Sequence, residues 1–336
     1  MKKILFSLLA GCILMSGCDD RREILEDNTV WVRVKLDWAQ AGNPPNGVTV
    51  WFFPTRTDSK PIVLRTNSTM DSIKLRRDIY SVLVFNDTEK DHDGMAFRNT
   101  ERYETFEAYA TPYKDNNKVV VKADDEVVAQ LPGDLTVASN DRFEVTWDMV
   151  GRDQRPLLQF APKSKLYTLK VSVRIKGLDN VVAGSTGTLS GLAEGLLLAR
   201  SQRSTQKVTH QFLFDKLRFD EGSYQQGTIY AHFQLFGLAD GDITRQDEKA
   251  HKLKLYLRLR DGSVYTVERD VSQLIKENTE GTLELDLTVG SDKEETGENP
   301  IVKIPDVKPS DPDAGSGFDA DVSEWGDKVE IEIPLK

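Results

Sequence analysis

The chain has 336 residues, a formal net charge of −10 and 29% charged residues. An acidic protein repels phosphate backbones, which argues against nucleic acid as a partner. Its two cysteines, Cys12 and Cys18, both lie near the amino terminus, so the body of the chain has no disulfide, zinc–thiolate site or cysteine nucleophile to build with.

Met1 is followed by Lys2, Lys3 and an apolar run over residues 4–15, the charge-then-apolar order of a secretory signal. The run falls short of the roughly 20 apolar residues that span a bilayer. At its end, Ser16-Gly17-Cys18 resembles the lipobox of bacterial lipoprotein precursors, whose cysteine is acylated and becomes the first mature residue. Leu9-Ala10-Gly11-Cys12 matches that consensus more closely. Choosing Cys12, however, leaves an apolar core shorter than the about 7–15 residues of a typical signal. The expected order is a signal peptide over 1–17, acyl chains such as palmitate on Cys18, and a charged tether over 18–28. Asp19, Asp20 and Glu23 after the cysteine resemble a surface-export signal of Bacteroidales lipoproteins, and suit a solvated linker equally. The resemblance implies an outer-membrane protein, held by lipid and facing the cell exterior.

Beyond the tether the pattern has period two, which on a pleated strand places alternate side chains on one face. Val30, Val32, Val34, Leu36 and Trp38 alternate with Trp31, Arg33, Lys35 and Asp37. Val50-Trp51-Phe52-Phe53 is apolar on both faces and reads as a buried central strand. Gly151 to Pro156 and Ala161 to Ser164 interrupt the pattern and mark a boundary. Alternation returns at Leu169 to Ile175, Leu253 to Leu259, Leu283 to Val289 and Val329 to Leu335. One helix is expected, capped by Asp270 and running from Val271 to Glu277. Residues 291–316, acidic and holding four prolines, read as a long loop. Strands with polar outer faces separated by turns predict an all-β chain of antiparallel sandwiches, one over 29–160 and one over 165–336.

Chemistry-bearing patterns are sparse. His92, His210, His232 and His251 show no metal-motif spacing, and no phosphate loop or nucleophile elbow occurs. Glu89-x-Asp91-x-Asp93-Gly94 matches the first half of a calcium loop, but Thr100 stands where the bidentate glutamate is needed. Asp311-x-Asp313-x-Gly315 with Asp319 and Asp321 is likewise incomplete. We therefore expect no metal site, no cofactor and no enzyme. Trp31, Trp38, Trp51, Trp147 and Trp325 could form a sugar-stacking platform, but in alternating strands large rings are expected in the core. Asp71-Ser72-Ile73 resembles the O-glycosylation pattern of Bacteroidales exported proteins, which makes Ser72 a candidate acceptor.

Several segments together resemble a family of Bacteroidales lipoproteins related to fimbrial, FimB-type, anchor and accessory subunits. Residues 31–38, 46–54 and 78–86 resemble its amino-terminal domain, and residues 189–195 and 317–325 its second. The resemblance implies two tandem transthyretin-like β-sandwiches and a surface lipoprotein that anchors or caps a fimbria or acts as an adhesin. Its partners would be fimbrial subunits, bound when a partner's strand completes an open sheet edge. The terminal run 328–336 is a candidate for a displaceable covering strand, or for a permanent edge strand blunted by Pro334. A glycan-binding lipoprotein of a polysaccharide-uptake system is the alternative reading.

Overall fold

The computed structural model describes residues 29–41, 45–56, 59–115, 118–120, 126–149, 155–239, 251–277, 281–288 and 302–307. By packing they divide into two units: one of residues up to 88, 101–103 and 137–163, the other of 89–100, 104–136 and 164 onward.

In the first unit, Val30, Val32, Val34 and Leu36 are buried while Trp31, Arg33 and Lys35 face solvent, the signature of a strand covered on one side. This strand, Thr29–Leu36, lies antiparallel to Met70–Arg76 and parallel to Leu157–Phe160. A second sheet contains, in order, Thr136–Glu144, Ile79–Asn86, Val48–Pro54 and Ile62–Thr66. Val32, Val34, Leu75 and Leu158 of one sheet share a core with Val50, Phe52, Val82 and Val84 of the other. Facing apolar sides of two sheets make a sandwich. As its apolar run requires, Val48–Pro54 is an inner strand, flanked by Ile79–Asn86 and Ile62–Thr66.

The second unit holds three sheets among the described residues besides one short two-residue pairing. The first runs Val127–Ala129, Lys207–Leu213, Thr186–Ala193, Lys252–Arg258 and Val264–Asp270. The second runs Lys216–Phe219, Gln226–Leu235, Tyr167–Lys176, Thr282–Leu287 and Ile275–Glu277. Phe212 of the first stacks on Phe233 of the second with centroids 4.6 Å apart, so their apolar faces meet. A smaller sheet orders Gln202–Arg203, Gly195–Leu197, Glu107–Ala110 and Met95–Arg98. Both units are thus built of strands, and the chain is all-β.

Three expectations need correction. The helix from Val271 does not form. The Asp270 carboxylate accepts from the backbone N–H and hydroxyl of Ser272, one turn follows, and the chain is extended again at Ile275, which pairs with Leu285. A turn held by a local side-chain bond competes with the helix. Within the loop expected over 291–316, Val302–Lys303 is a strand, parallel to Ile175 and Lys176, because Val302 and Ile304 are apolar enough to bury. Finally, Trp38 is buried, but Trp31 is 46% and Trp147 59% exposed. Trp31 occupies an odd position on a strand whose even positions face the core. The alternation at 329–335 lies outside the described residues.

Candidate functional site

Among the described residues the titratable groups do not converge on one centre. His210 is fully buried, with Nδ1 3.1 Å from the carbonyl oxygen of Ala129, and burial pushes its pKa down to about 4. His251 is buried on the Ser190 carbonyl, His92 packs edge-on against Phe97, and His232 pairs with Asp215. No three His, Cys, Asp or Glu side chains are grouped to hold a metal among the described residues. Glu107 and Glu194, 96 positions from Arg98 in the latter case, both bind the Arg98 guanidinium at 2.6–2.8 Å. The hydrogen bond to Glu107 foremost, and that to Glu194, raise the pKa of Arg98 further above its usual value. This charge-assisted cluster staples two strands of the small sheet to the turn at Glu194.

Of the residues singled out from the sequence, Cys18 lies outside the described residues, as do Cys12, Trp325, the 311–321 acidic cluster and the 328–336 run. Ser72 is half-buried in Met70–Arg76, opposite Arg33, and its N–H donates 2.7 Å to the Asp71 carboxylate. Asp93 and Gly94 serve the backbone: the Asp93 carbonyl accepts from Gly133 at 2.8 Å. Gly94 has φ +65°, and a Cβ there would stand 1.9 Å from the Leu131 carbonyl oxygen.

What the body offers is surface, in two forms. Lys216–Phe219 ends its sheet among the described strands, and all four residues are exposed, Leu217 and Phe219 at 40% each. The Asp220 N–H donates to Gln226. Alternation from that bond turns the N–H groups of Leu217 and Phe219 away from Gln226–Leu235, toward the open edge. Such an edge is a template for another strand. Sequence reading did not find it, because the alternation of Leu217 and Phe219 with Lys216 and Arg218 gives no sign that both faces are bare.

The other surface is the outer face of the three-stranded sheet in the first unit. Register places Trp31 opposite Lys74, Arg33 opposite Ser72 and Leu157, and Lys35 opposite Met70 and Gln159. Arg76 lies opposite Thr29 on the same side, and the Arg155 guanidinium sits 5.5 Å from the Trp31 ring centre. Within the three described strands no carboxylate occupies this face; Asp37, the next outward position after Lys35, lies just beyond the strand end, where its carboxylate accepts from the Ala39 N–H.

A family model described as a domain of unknown function, DUF5119, matches residues 17–215, more than half of the chain. A Bacteroides ovatus protein provisionally named fimbrium anchoring subunit Fim4B is 26% identical, over 98% of this chain and 97% of its own. The crystal structure of a protein from the same species, provisionally named an adhesin, superposes with a TM-score of 0.57 at 22% identity, covering 88% of this chain and 99% of that one. That likeness speaks for the fold. The fimbrial anchor protein Mfa2 from Porphyromonas gingivalis gives a TM-score of 0.40 at 12% identity, over 74% of this chain and 84% of that one, and carries no weight here. By the extent of the family match, this chain belongs to the DUF5119 family.

Proposed function

We propose that the chain is a lipoprotein of the outer-membrane surface that serves as a fimbrial anchor or accessory subunit, or a related adhesin, and holds its partner by β-strand addition. One observation carries this reading: identity of 26% with a protein named as a fimbrium anchoring subunit runs through 98% of the chain rather than through one segment. Acylation of Cys18 supplies the attachment, and Lys216–Phe219 supplies the edge on which a partner strand hydrogen-bonds. No catalytic step is assigned to it. The transthyretin-like pair of domains expected over residues 29–160 and 165–336 is kept as a proposal, amended so that the strands of 89–100 and 104–136 go with the second. The glycan-binding alternative is not favoured: the exposed rings of Trp31 and Trp147 have the guanidinium groups of Arg155 and Arg77 over them at 5.5 and 4.3 Å.

The test is capture of fimbrial subunits from the surface fraction of the same organism. Leu217→Pro removes an outward N–H and leaves the ladder to Gln226–Leu235 bonded through Arg218. Capture by the native chain and by Leu217→Thr, with loss in Leu217→Pro, is expected. Equal capture by all three places the partner elsewhere, and capture by none rejects the fimbrial role.

A further inference from the structure

The outer face of the sheet formed by Thr29–Leu36, Met70–Arg76 and Leu157–Phe160 concentrates charge against the trend of the whole chain. The chain carries −10, yet Arg33, Lys35, Lys74, Arg76 and Arg155 are all exposed on or beside this one face. None of the five has a carboxylate within ion-pair distance among the described residues. Some cations elsewhere are paired: Arg56 with Asp78, Arg142 with Glu144, Arg174 with Asp220. Unpaired cations this close together repel one another, and a bound anionic surface relieves that repulsion.

The apolar content of the face narrows the class of partner. Trp31 stands exposed among the cations, with Leu157 beside Arg33. A large amphipathic ring ringed by lysine and arginine is the composition that settles at the level of lipid headgroups, the ring at the acyl boundary and the cations on phosphates. A sheet face also presents these groups over a broad front, which suits a lipid surface better than a single small anion. The chain's own covalent order brings it there. Ten residues separate Cys18 from Thr29, so the strand begins no more than about 40 Å from the acylated residue even with the tether fully extended.

We propose that this face docks the body on the anionic headgroups of the membrane that holds the lipid, with Trp31 inserted at the interface. The proposal rests on the reading that Cys18 tethers the chain, and its test omits that cysteine so that the two ideas fail separately. The mature chain from Asp19 onward, which keeps every described residue, is sedimented with vesicles of phosphatidylcholine alone and with vesicles containing phosphatidylglycerol. Binding to the second, at least about tenfold tighter than to the first and falling as salt is raised, is expected. Arg33→Glu with Lys74→Glu abolishes the preference, and Arg155→Glu, outside the strands, reduces it should the double variant fold poorly. Lys170→Glu with Arg200→Glu, exposed cations of the second unit, leaves it intact. Trp31→Ala weakens binding to the anionic vesicles without removing its salt dependence. Equal binding to both vesicle types, no binding to either, displacement by millimolar inorganic phosphate, or capture of soluble polyglutamate in preference to vesicles would each overturn the proposal.

Discussion

Arg98 holds Glu107 by two parallel hydrogen bonds, Nε to Oε2 at 2.7 Å and Nη2 to Oε1 at 2.8 Å. The fork geometry fixes the neighbouring strands Met95–Arg98 and Glu107–Ala110 side by side, and Nη2 reaches on to Glu194 at 2.6 Å. Arg98→Met leaves two largely buried carboxylates without their cation. The arginine side chain is about one-third exposed, so the loss should fall below the 3–5 kcal/mol of a fully buried pair, at about 2–3 kcal/mol. Urea unfolding measures it, and adding Glu107→Gln should recover part of the loss. A single variant as stable as the native chain would show that water replaces the guanidinium.

Gly94 supports the same sheet from its turn. With φ +65° and a backbone carbonyl 1.9 Å from the position of any Cβ, Gly94→Ala meets both strain and a clash that no side-chain rotation relieves. Destabilisation of at least about 2 kcal/mol is expected. Gly222→Ala is the control: its φ is also positive, at +74°, but a Cβ there meets nothing within 4 Å. Comparing the two melting temperatures separates the clash from the strain.

Acid should act through His210. Its folded pKa is about 4, below the ordinary 6.5, so the unfolded chain binds a proton more readily. The stabilisation is therefore complete above pH 6.5 and is lost as pH falls toward 4. About two and a half pKa units correspond to a loss on the order of 3 kcal/mol. His210→Gln should be less stable at pH 7 and should flatten the slope of stability between pH 6.5 and 4. An unchanged slope would assign acid sensitivity to other groups.

Attachment is tested at the amino terminus. Cys18→Ala should move the protein from the membrane to the soluble fraction, because acyl chains provide the stable hold. Membrane retention in Cys18→Ala with release in Cys12→Ala would identify Cys12 as the acylated residue. The docking face adds a weaker, salt-sensitive association that washing at high ionic strength removes.

The strands were legible where one face is buried and the other wet. Val30 to Leu36, Leu169 to Ile175 and Leu253 to Leu259 announce their inner faces by alternation alone, and each is buried as read. Pairing was not legible. Glu107–Ala110 and Val127–Ala129 have four and three residues, too few to show a period, and their partners Gly195–Leu197 and Lys207–Leu213 lie far along the chain. The Asp270 turn misled because Leu274 and Ile275 fit one side of a helix as well as the start of a strand. Of the candidate surfaces, the cations of the docking face were visible one by one, as the polar half of an alternation. Their convergence needed the register of Met70–Arg76 and Leu157–Phe160 against Thr29–Leu36.

The chain's route through its two units constrains the order in which the polypeptide can fold. Thr29–Leu36 gains its parallel neighbour only when Leu157–Phe160 has emerged, and Val127–Ala129 must wait for Lys207–Leu213. Neither unit can close when its first half arrives. Couplings of such long sequence separation fold slowly, and incomplete sheets expose unpaired backbone meanwhile. Until then the strands already made are an open, adhesive intermediate, and a holding chaperone that shields unpaired strands would raise the yield of folded protein far more than it would change the stability of the finished fold.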